Sequence, residues 1–205
     1  MSRRALVSML TLDLAGLLML AAPSMWAAAG PSNPASGTVA STWQHHKITF
    51  SYEGFTTAYT CDGLEDRLKS MFLQLGARKD MSIHAGACPG GPDTPSRSIL
   101  VSAEFYTLAP AGEGSAPDAA ANSGGESNTV PAQWQPLRLE PWKPRFMADG
   151  DCELMQSIED VIKKNFTLRD LHYRTDCFPH DIQLNSYSVK GQTLKAAESA
   201  SAAKS

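Results

Sequence analysis

The sequence lacks most of the motifs that would assign it an activity. It contains no Cys-x-x-Cys pair, no Gly-x-Ser-x-Gly segment and no glycine-rich phosphate loop. The sequence therefore has no motif for disulfide exchange, for hydrolysis by a nucleophile-elbow serine or for nucleotide binding. Its formal net charge is only −3, and no basic stripe with interleaved aromatic residues occurs. The composition gives no support to nucleic acid as a partner.

Long apolar runs are scarce, and the only candidate lies at the N-terminus. Two arginines precede an apolar stretch over 5–22, and three alanines end at residue 29. This order is typical of a secretory signal peptide. Asp13 argues against a permanent membrane helix, because a carboxylate at mid-bilayer costs about 2.5–3.5 kcal/mol. The sequence therefore predicts a signal peptide over 1–29, and the general secretory route is favoured over twin-arginine export. The mature protein is expected to be periplasmic or secreted, without a transmembrane segment.

Composition divides the mature chain into two blocks. Three segments lack the large apolar side chains of a core and are expected to be flexible. These are a leader over 30–41, a linker over 111–130 and a tail over 196–205. The remaining blocks, 42–110 and 131–195, are each small enough to need a covalent staple or packing against the other.

Both blocks show the same order of predicted elements. The first opens with apolar residues that alternate with polar ones, Ile48, Phe50 and Tyr52, which is typical of a half-buried strand. A helix then begins at Cys61 after the cap Thr60, and its counterpart begins at Cys152 after the cap Asp151. A strand that ends at a second cysteine follows each helix. The sequence predicts an α+β protein of two β-α-β-β units, each with one helix on a small mixed sheet, packed as one body or held apart by the linker.

Four cysteines allow three disulfide pairings. In a β-α-β crossover the helix begins where the first strand ends, and the second strand returns to that same end. Cys61 and Cys152 begin helices, whereas Cys88 and Cys177 end strands. We therefore predict the bonds Cys61–Cys88 and Cys152–Cys177, with pairing between units as the less favoured alternative. An even number of cysteines in an exported chain favours structural bridges over redox thiols.

Histidine offers weak candidates for a metal site. His45 and His46 are adjacent, so on a strand they point to opposite faces and cannot chelate together. His172 and His180 flank the second-unit strand end and could converge with Arg174. The remaining candidates are His84 and Asp181. Surface histidines without a chemical role are the favoured interpretation, and no metal, other cofactor or catalytic residue is predicted.

Charged and aromatic clusters receive similar structural interpretations. Carboxylates in the first helical turns favour helix-dipole stabilisation over acid–base catalysis: Asp62, Glu65, Asp66, Asp151 and Glu153. The run Arg169, His172, Arg174 and His180 is interpreted as a solvated strand face, with a mildly basic patch as the alternative. Core packing is favoured for the aromatic residues Trp134, Trp142 and Phe146, with an exposed binding surface as the alternative.

The residues from Phe50 to Leu64 (FSYEGFTTAYTCDGL), continuing to Leu73–Arg78 (LQLGAR), resemble small exported proteobacterial proteins of unknown function. The resemblance covers the first unit and implies an envelope location. The favoured function is a non-enzymatic exported module that binds an envelope protein, a peptide or a cell-wall partner, with sheet edges open to strand addition. A metal-dependent or hydrolytic enzyme with a site between the units is the alternative, and a secreted inhibitor or effector is a third.

Overall fold

The computed structural model describes residues 37–86, 88, 90–112, 129–178 and 186–197. The strands are β1 (Val39–Glu53), β2 (Ser82–Gly86), β3 (Ser98–Pro110), β4 (Thr129–Leu139), β5 (Leu168–Asp176) and β6 (Ser186–Ala196). The helices are α1 (Cys61–Gln74), α2 (Cys152–Ser157) and α3 (Glu159–Asn165). The predicted signal peptide lies outside the described residues, as do 30–36 of the leader, 113–128 of the linker and 198–205 of the tail.

All six strands form one antiparallel sheet in the order β2-β3-β1-β4-β6-β5. The predicted α+β class is confirmed, but the expectation of a small mixed sheet in each unit is wrong. The third strand of each half lies between the other two, so β1 and β2 run in the same direction without being neighbours. The two halves have the same strand order when each is followed from its outer edge to the centre of the sheet: second strand, third strand, first strand.

The halves meet where β1 pairs with β4, residues 39–42 against 129–132. Residues 39–41 were assigned to the flexible leader, and residues 129 and 130 to the linker. Both segments are strands instead, because neighbouring strands satisfy the backbone groups of these small residues. The described residues group as one unit.

One hydrophobic core joins the sheet to all three helices. Fully buried side chains come from the strands, Tyr52, Val101, Phe105, Leu139 and Val189, and from the helices, Leu68, Phe72, Met155 and Ile162. The ring of Phe166 lies 5.3 Å from that of Phe72 and 5.4 Å from that of Phe105, centroid to centroid. A residue of the second half thus packs into the core of the first.

The helix predicted after Cys152 is interrupted. Thr60 caps α1 as expected, since its side chain accepts a hydrogen bond from the Gly63 N–H at 3.1 Å. The second helix is instead divided into α2 and α3 at Ile158, whose φ is −102° and ψ is 7°. Just before it, the Ser157 hydroxyl donates to the Glu153 carbonyl one turn earlier at 2.8 Å. Such a bond competes with the helical ladder and bends it.

The structure joins Cys61 to Cys88 and Cys152 to Cys177, the pairs within each half. The Cα–Cα distances are 6.3 and 5.7 Å. The changed strand order leaves the cysteines of each half at the same end, because β2 still runs in the direction of β1. Among the described residues, no helix is both long and apolar enough to span a bilayer.

Burial lowers the pKa of His46 below its ordinary value of 6.5, and the charge on His45 adds to this. His46 Nε2 lies 2.8 Å from the Thr107 hydroxyl, which itself donates to the Asn165 carbonyl at 2.9 Å. The hydroxyl proton is thereby used, so the His46 Nε2–H donates to the Thr107 oxygen, and the lowered pKa favours the neutral ring. The folded state binds a proton less readily than the unfolded state, and stability is lost as the pH falls below about 6.5.

We therefore expect His46→Gln to flatten the decline in unfolding free energy between about pH 7 and pH 5. Urea denaturation over this range measures the effect. His84→Gln is the matched control, because the His84 side chain is 86% exposed. A decline of unchanged slope in His46→Gln would contradict the assignment.

Candidate functional site

The sheet surface opposite the helices, which we call the open face, is largely exposed. It carries the strand residues that alternate with those in the core. In the first half these include Lys47, Thr49, Ser102 and Glu104, all exposed. Near the β1–β4 junction a small apolar cluster covers the face, formed by Leu108, Ala132 and Leu194 with Trp43 and Trp134.

Three strands of the second half place cations side by side on the open face. We define the basic patch as Arg138 on β4, Lys190 on β6, and Arg169, His172 and Arg174 on β5. The register pairs His172 with Lys190 and Lys190 with Arg138, so these three form a row across the sheet. Like charges on paired strand residues repel one another, so this row needs a counter-charge close by.

A β-bulge brings Arg169 and His172 onto the same face. Residues three apart in a regular strand point to opposite faces, but the β5 register shifts between these two. Asp170 within the bulge has φ of 52°. Opposite it lies Gly191, where an added Cβ would sit 2.9 Å from the Arg169 carbonyl oxygen.

Neighbouring groups hold the cations of the basic patch in place. The Arg169 guanidinium lies 4.4 Å from the Trp134 ring centroid, and its Nε donates to Gln192 at 2.9 Å. Lys190 at 2.8 Å and Arg138 at 2.5 Å both pair with Glu140. The hydrogen bond from Lys190, followed by that from Arg138, lowers the pKa of Glu140 to about 2.

The basic patch carries an excess of positive charge. Arg174 pairs with Asp176 at 2.5 Å, so the four permanent cations face two carboxylates, Glu140 and Asp176. His172 adds to the excess when protonated. Because the whole chain has a formal net charge of −3, this charge is local rather than a property of the composition.

The equivalent surface of the first half has different chemistry. There the row across three strands is Ser82, Glu104 and Lys47. Glu104 occupies the place that Lys190 has in the second half, and His45 Nε2 lies 2.8 Å from its carboxylate. The basic patch therefore belongs to one half of a topologically matched pair.

The seam between the halves contains two buried carboxylates. Glu153 is 4% exposed and accepts from the backbone N–H groups of Phe55, Thr56 and Thr57 at 3.0–3.1 Å. The Thr56 hydroxyl also donates to it, at 2.9 Å. The predicted dipole role of Glu153 is thus secondary to anchoring a loop of the first half.

The sequence predicts that Asp151 caps the second helix, but its side chain makes no capping hydrogen bond to α2. It is 1% exposed and accepts from the Ala148 N–H and the Tyr59 hydroxyl, both at 2.6 Å. Burial, followed by the adjacent Asp151 charge, raises the pKa of Tyr59. Both seam carboxylates are committed to structural hydrogen bonds. The described part of the chain contains no group of three His, Cys, Asp or Glu side chains that could hold a metal ion.

The three aromatic candidates lie in different environments. Trp134 is half-buried under Arg169, and Phe146 packs against the core. Trp142 is 65% exposed and has φ of 65°, at the third position of a turn closed by two 2.9 Å hydrogen bonds between Glu140 and Lys143. This position favours glycine or asparagine, and a larger residue costs about 1–2 kcal/mol.

The histidines have different surroundings. His84 is on the open face of the first half with its side chain 86% exposed, and its Nδ1 lies 3.5 Å from Glu65. His172 belongs to the basic patch, whereas His180 and Asp181 lie outside the described residues. The sequence shows Arg169, His172 and Arg174 close together on one predicted strand, but only long-range strand pairing brings Arg138 and Lys190 beside them.

Comparison with known proteins found no family model, no curated protein and no solved structure that matches the chain.

Proposed function

We propose that the chain is an exported, disulfide-stapled module without enzymatic activity, located in the periplasm or secreted. In this proposal, the basic patch binds an extended, acidic segment of a partner protein. The row of His172, Lys190 and Arg138 carries the argument, because it places three basic side chains side by side and has no counterpart in the first half. The predicted signal peptide and the two disulfides support export.

The geometry of β5 favours an extended peptide as the ligand. His172 and Arg174 are two residues apart on one face, a repeat of about 6.8 Å, which is also the repeat of alternate side chains in an extended peptide. Among the described strands, β5 pairs with β6 alone. A peptide that adds to its other edge places every second side chain beside the basic patch. Acidic residues at those positions would pair with His172 and Arg174.

The proposal includes an internal duplication, in which a β-α-β-β unit that ends at Pro110 has a copy that begins at Thr129, with a linker between them. Several residue pairs of the same type lie 91 positions apart: Val39 and Val130, Trp43 and Trp134, Cys61 and Cys152, Arg78 and Arg169. Each arginine stacks on the tryptophan of its own half, at 5.4 Å and 4.4 Å from the ring centroid. The first copy has Glu104 where the second has Lys190, and this difference then gave the second copy its binding surface.

A fluorescent peptide in which glutamate alternates with threonine tests the proposed ligand class. We expect saturable binding that weakens as salt is added, because exposed charges are screened over about 8–10 Å. Arg169→Glu with Arg174→Glu should weaken the affinity by roughly tenfold to a hundredfold, since two favourable ion pairs become repulsive. Fluorescence polarisation measures the change.

The matched control reverses two charges in the first half, Lys47→Glu with Arg78→Glu. Arg78 stacks on a tryptophan as Arg169 does, so the control reproduces any general cost of losing that stack. It should bind the peptide with less than a twofold change in affinity. Equal losses in both double variants would contradict the proposal, as would binding of an acidic oligosaccharide in preference to the peptide.

A further inference from the structure

The turn that follows β4 forms a second exposed surface, which differs in chemistry from the basic patch. Residues 142–146 read Trp-Lys-Pro-Arg-Phe, and Trp142, Lys143 and Arg145 are all exposed. Phe146 packs inward against the core, with the Arg67 guanidinium 6.0 Å from its ring centroid. The turn therefore presents one large aromatic side chain and two cations from a fixed base.

The backbone at the tip is fixed and unfavourable for the residue that occupies it. Two hydrogen bonds between Glu140 and Lys143 close the turn, and the Trp142 N–H donates to the Met147 carbonyl at 3.1 Å. At φ of 65° a glycine would fit without strain, yet the position holds the largest side chain. Since that side chain is 65% exposed, packing within the described chain does not explain its presence. Retained strain of this kind points to a function for the side chain.

We infer that this turn docks the protein onto the surface of an anionic phospholipid bilayer. Trp142 enters the interfacial region, while Lys143 and Arg145 meet the phosphate groups. Tryptophan suits this location because its ring is apolar and its indole N–H remains hydrogen-bonded at headgroup depth. Basic residues beside an inserted aromatic add electrostatic attraction to anionic lipid.

The shape of the site favours a bilayer over a protein partner. Aromatic anchors at protein interfaces are packed into well-formed, desolvated pockets, whereas this tryptophan projects from a turn with a cation beside it. A bilayer surface needs only that projecting group and positive charge. This inference is independent of the basic patch, which lies on strand faces and needs an extended peptide.

The test is partition of the purified exported protein onto vesicles of phosphatidylglycerol and phosphatidylethanolamine, with phosphatidylcholine vesicles as the uncharged comparison. We expect binding to the anionic vesicles and quenching of tryptophan fluorescence by lipids brominated near the interface. Lys143→Glu with Arg145→Glu should lower the partition coefficient by at least ~tenfold. The matched control, Lys47→Glu with Lys79→Glu, reverses two exposed charges elsewhere and should partition normally.

Two substitutions of Trp142 separate insertion from folding. Trp142→Gly relieves the positive φ, so it should unfold at an equal or higher temperature while its binding to vesicles falls by at least ~tenfold. Trp142→Phe should still sediment with vesicles but lose the quenching. The inference is overturned if the unmodified protein ignores anionic vesicles or if Trp142→Gly binds as before. It is also overturned if Arg169→Glu with Arg174→Glu abolishes the quenching, since the basic patch would then be the membrane contact.

Discussion

Replacing Glu153 with alanine is expected to lower the unfolding free energy by about 3–5 kcal/mol, because it removes a buried charge and leaves its partners unsatisfied. The carboxylate accepts hydrogen bonds from the Phe55, Thr56 and Thr57 N–H groups. These groups belong to the loop between β1 and α1, whereas Glu153 belongs to α2. Its loss therefore uncouples the two halves at their seam.

Glu153→Gln tests the role of charge at nearly constant volume. One oxygen still accepts, but the amide directs an NH₂ group at donors, so this variant should also be destabilised by about 2–3 kcal/mol. Asp160→Ala is the control, because the Asp160 side chain is 80% exposed and pairs with the exposed Lys164 one turn away. Guanidinium denaturation measures all three. A loss below about 1 kcal/mol in Glu153→Ala would show that the seam does not depend on this carboxylate.

Removing either disulfide is the second large effect that we expect. The bonds close loops with sequence separations of 27 and 25 residues, for which the chain-entropy model gives about 3–4 kcal/mol each. The Cys152–Cys177 bond also fastens the chain just beyond β5 to the start of α2, so its loss should loosen the strand that carries the basic patch. Cys152→Ser with Cys177→Ser is then expected to weaken both stability and binding of the acidic peptide.

The other double variant, Cys61→Ser with Cys88→Ser, separates these two effects. It should lose comparable stability, because its loop is of similar length, but should bind the acidic peptide with unchanged affinity at a temperature where it is folded. Mass mapping of an unreduced digest should recover the two bonds within halves. A bond between the halves would contradict both the pairing and the expected division of effects.

Local features of the sequence anticipated much of the fold. The Thr60 cap, the strand alternation around Phe50 and the opposite orientations of His45 and His46 depend on neighbours in the chain, and the structure reproduces them. The cysteine pairs followed from strand direction alone, which the inserted third strand leaves unchanged. Strand order was not accessible in the same way, because each β-α-β-β half can place its last strand at an edge or in the middle.

The candidate site was harder to anticipate, since its residues meet only through long-range pairing. Lys190 and Arg138 join His172 through the β4–β6–β5 register, and a bulge opposite Gly191 decides the direction of Arg169. The buried bonds of Glu153 likewise depend on a loop nearly a hundred residues away. One signal was present in the sequence: the 91-residue spacing that relates Trp43 to Trp134 also relates Arg78 to Arg169. That spacing would have located the two stacked pairs.

The most direct test of the account is a map of backbone amide resonances in the full exported protein as the glutamate–threonine peptide is added. We expect saturable shifts that centre on Arg138, His172 and Lys190, with Lys47 and Glu104 unmoved. Shifts centred on the first half, or none that saturate, would contradict the claim that one face of the second half is the binding surface.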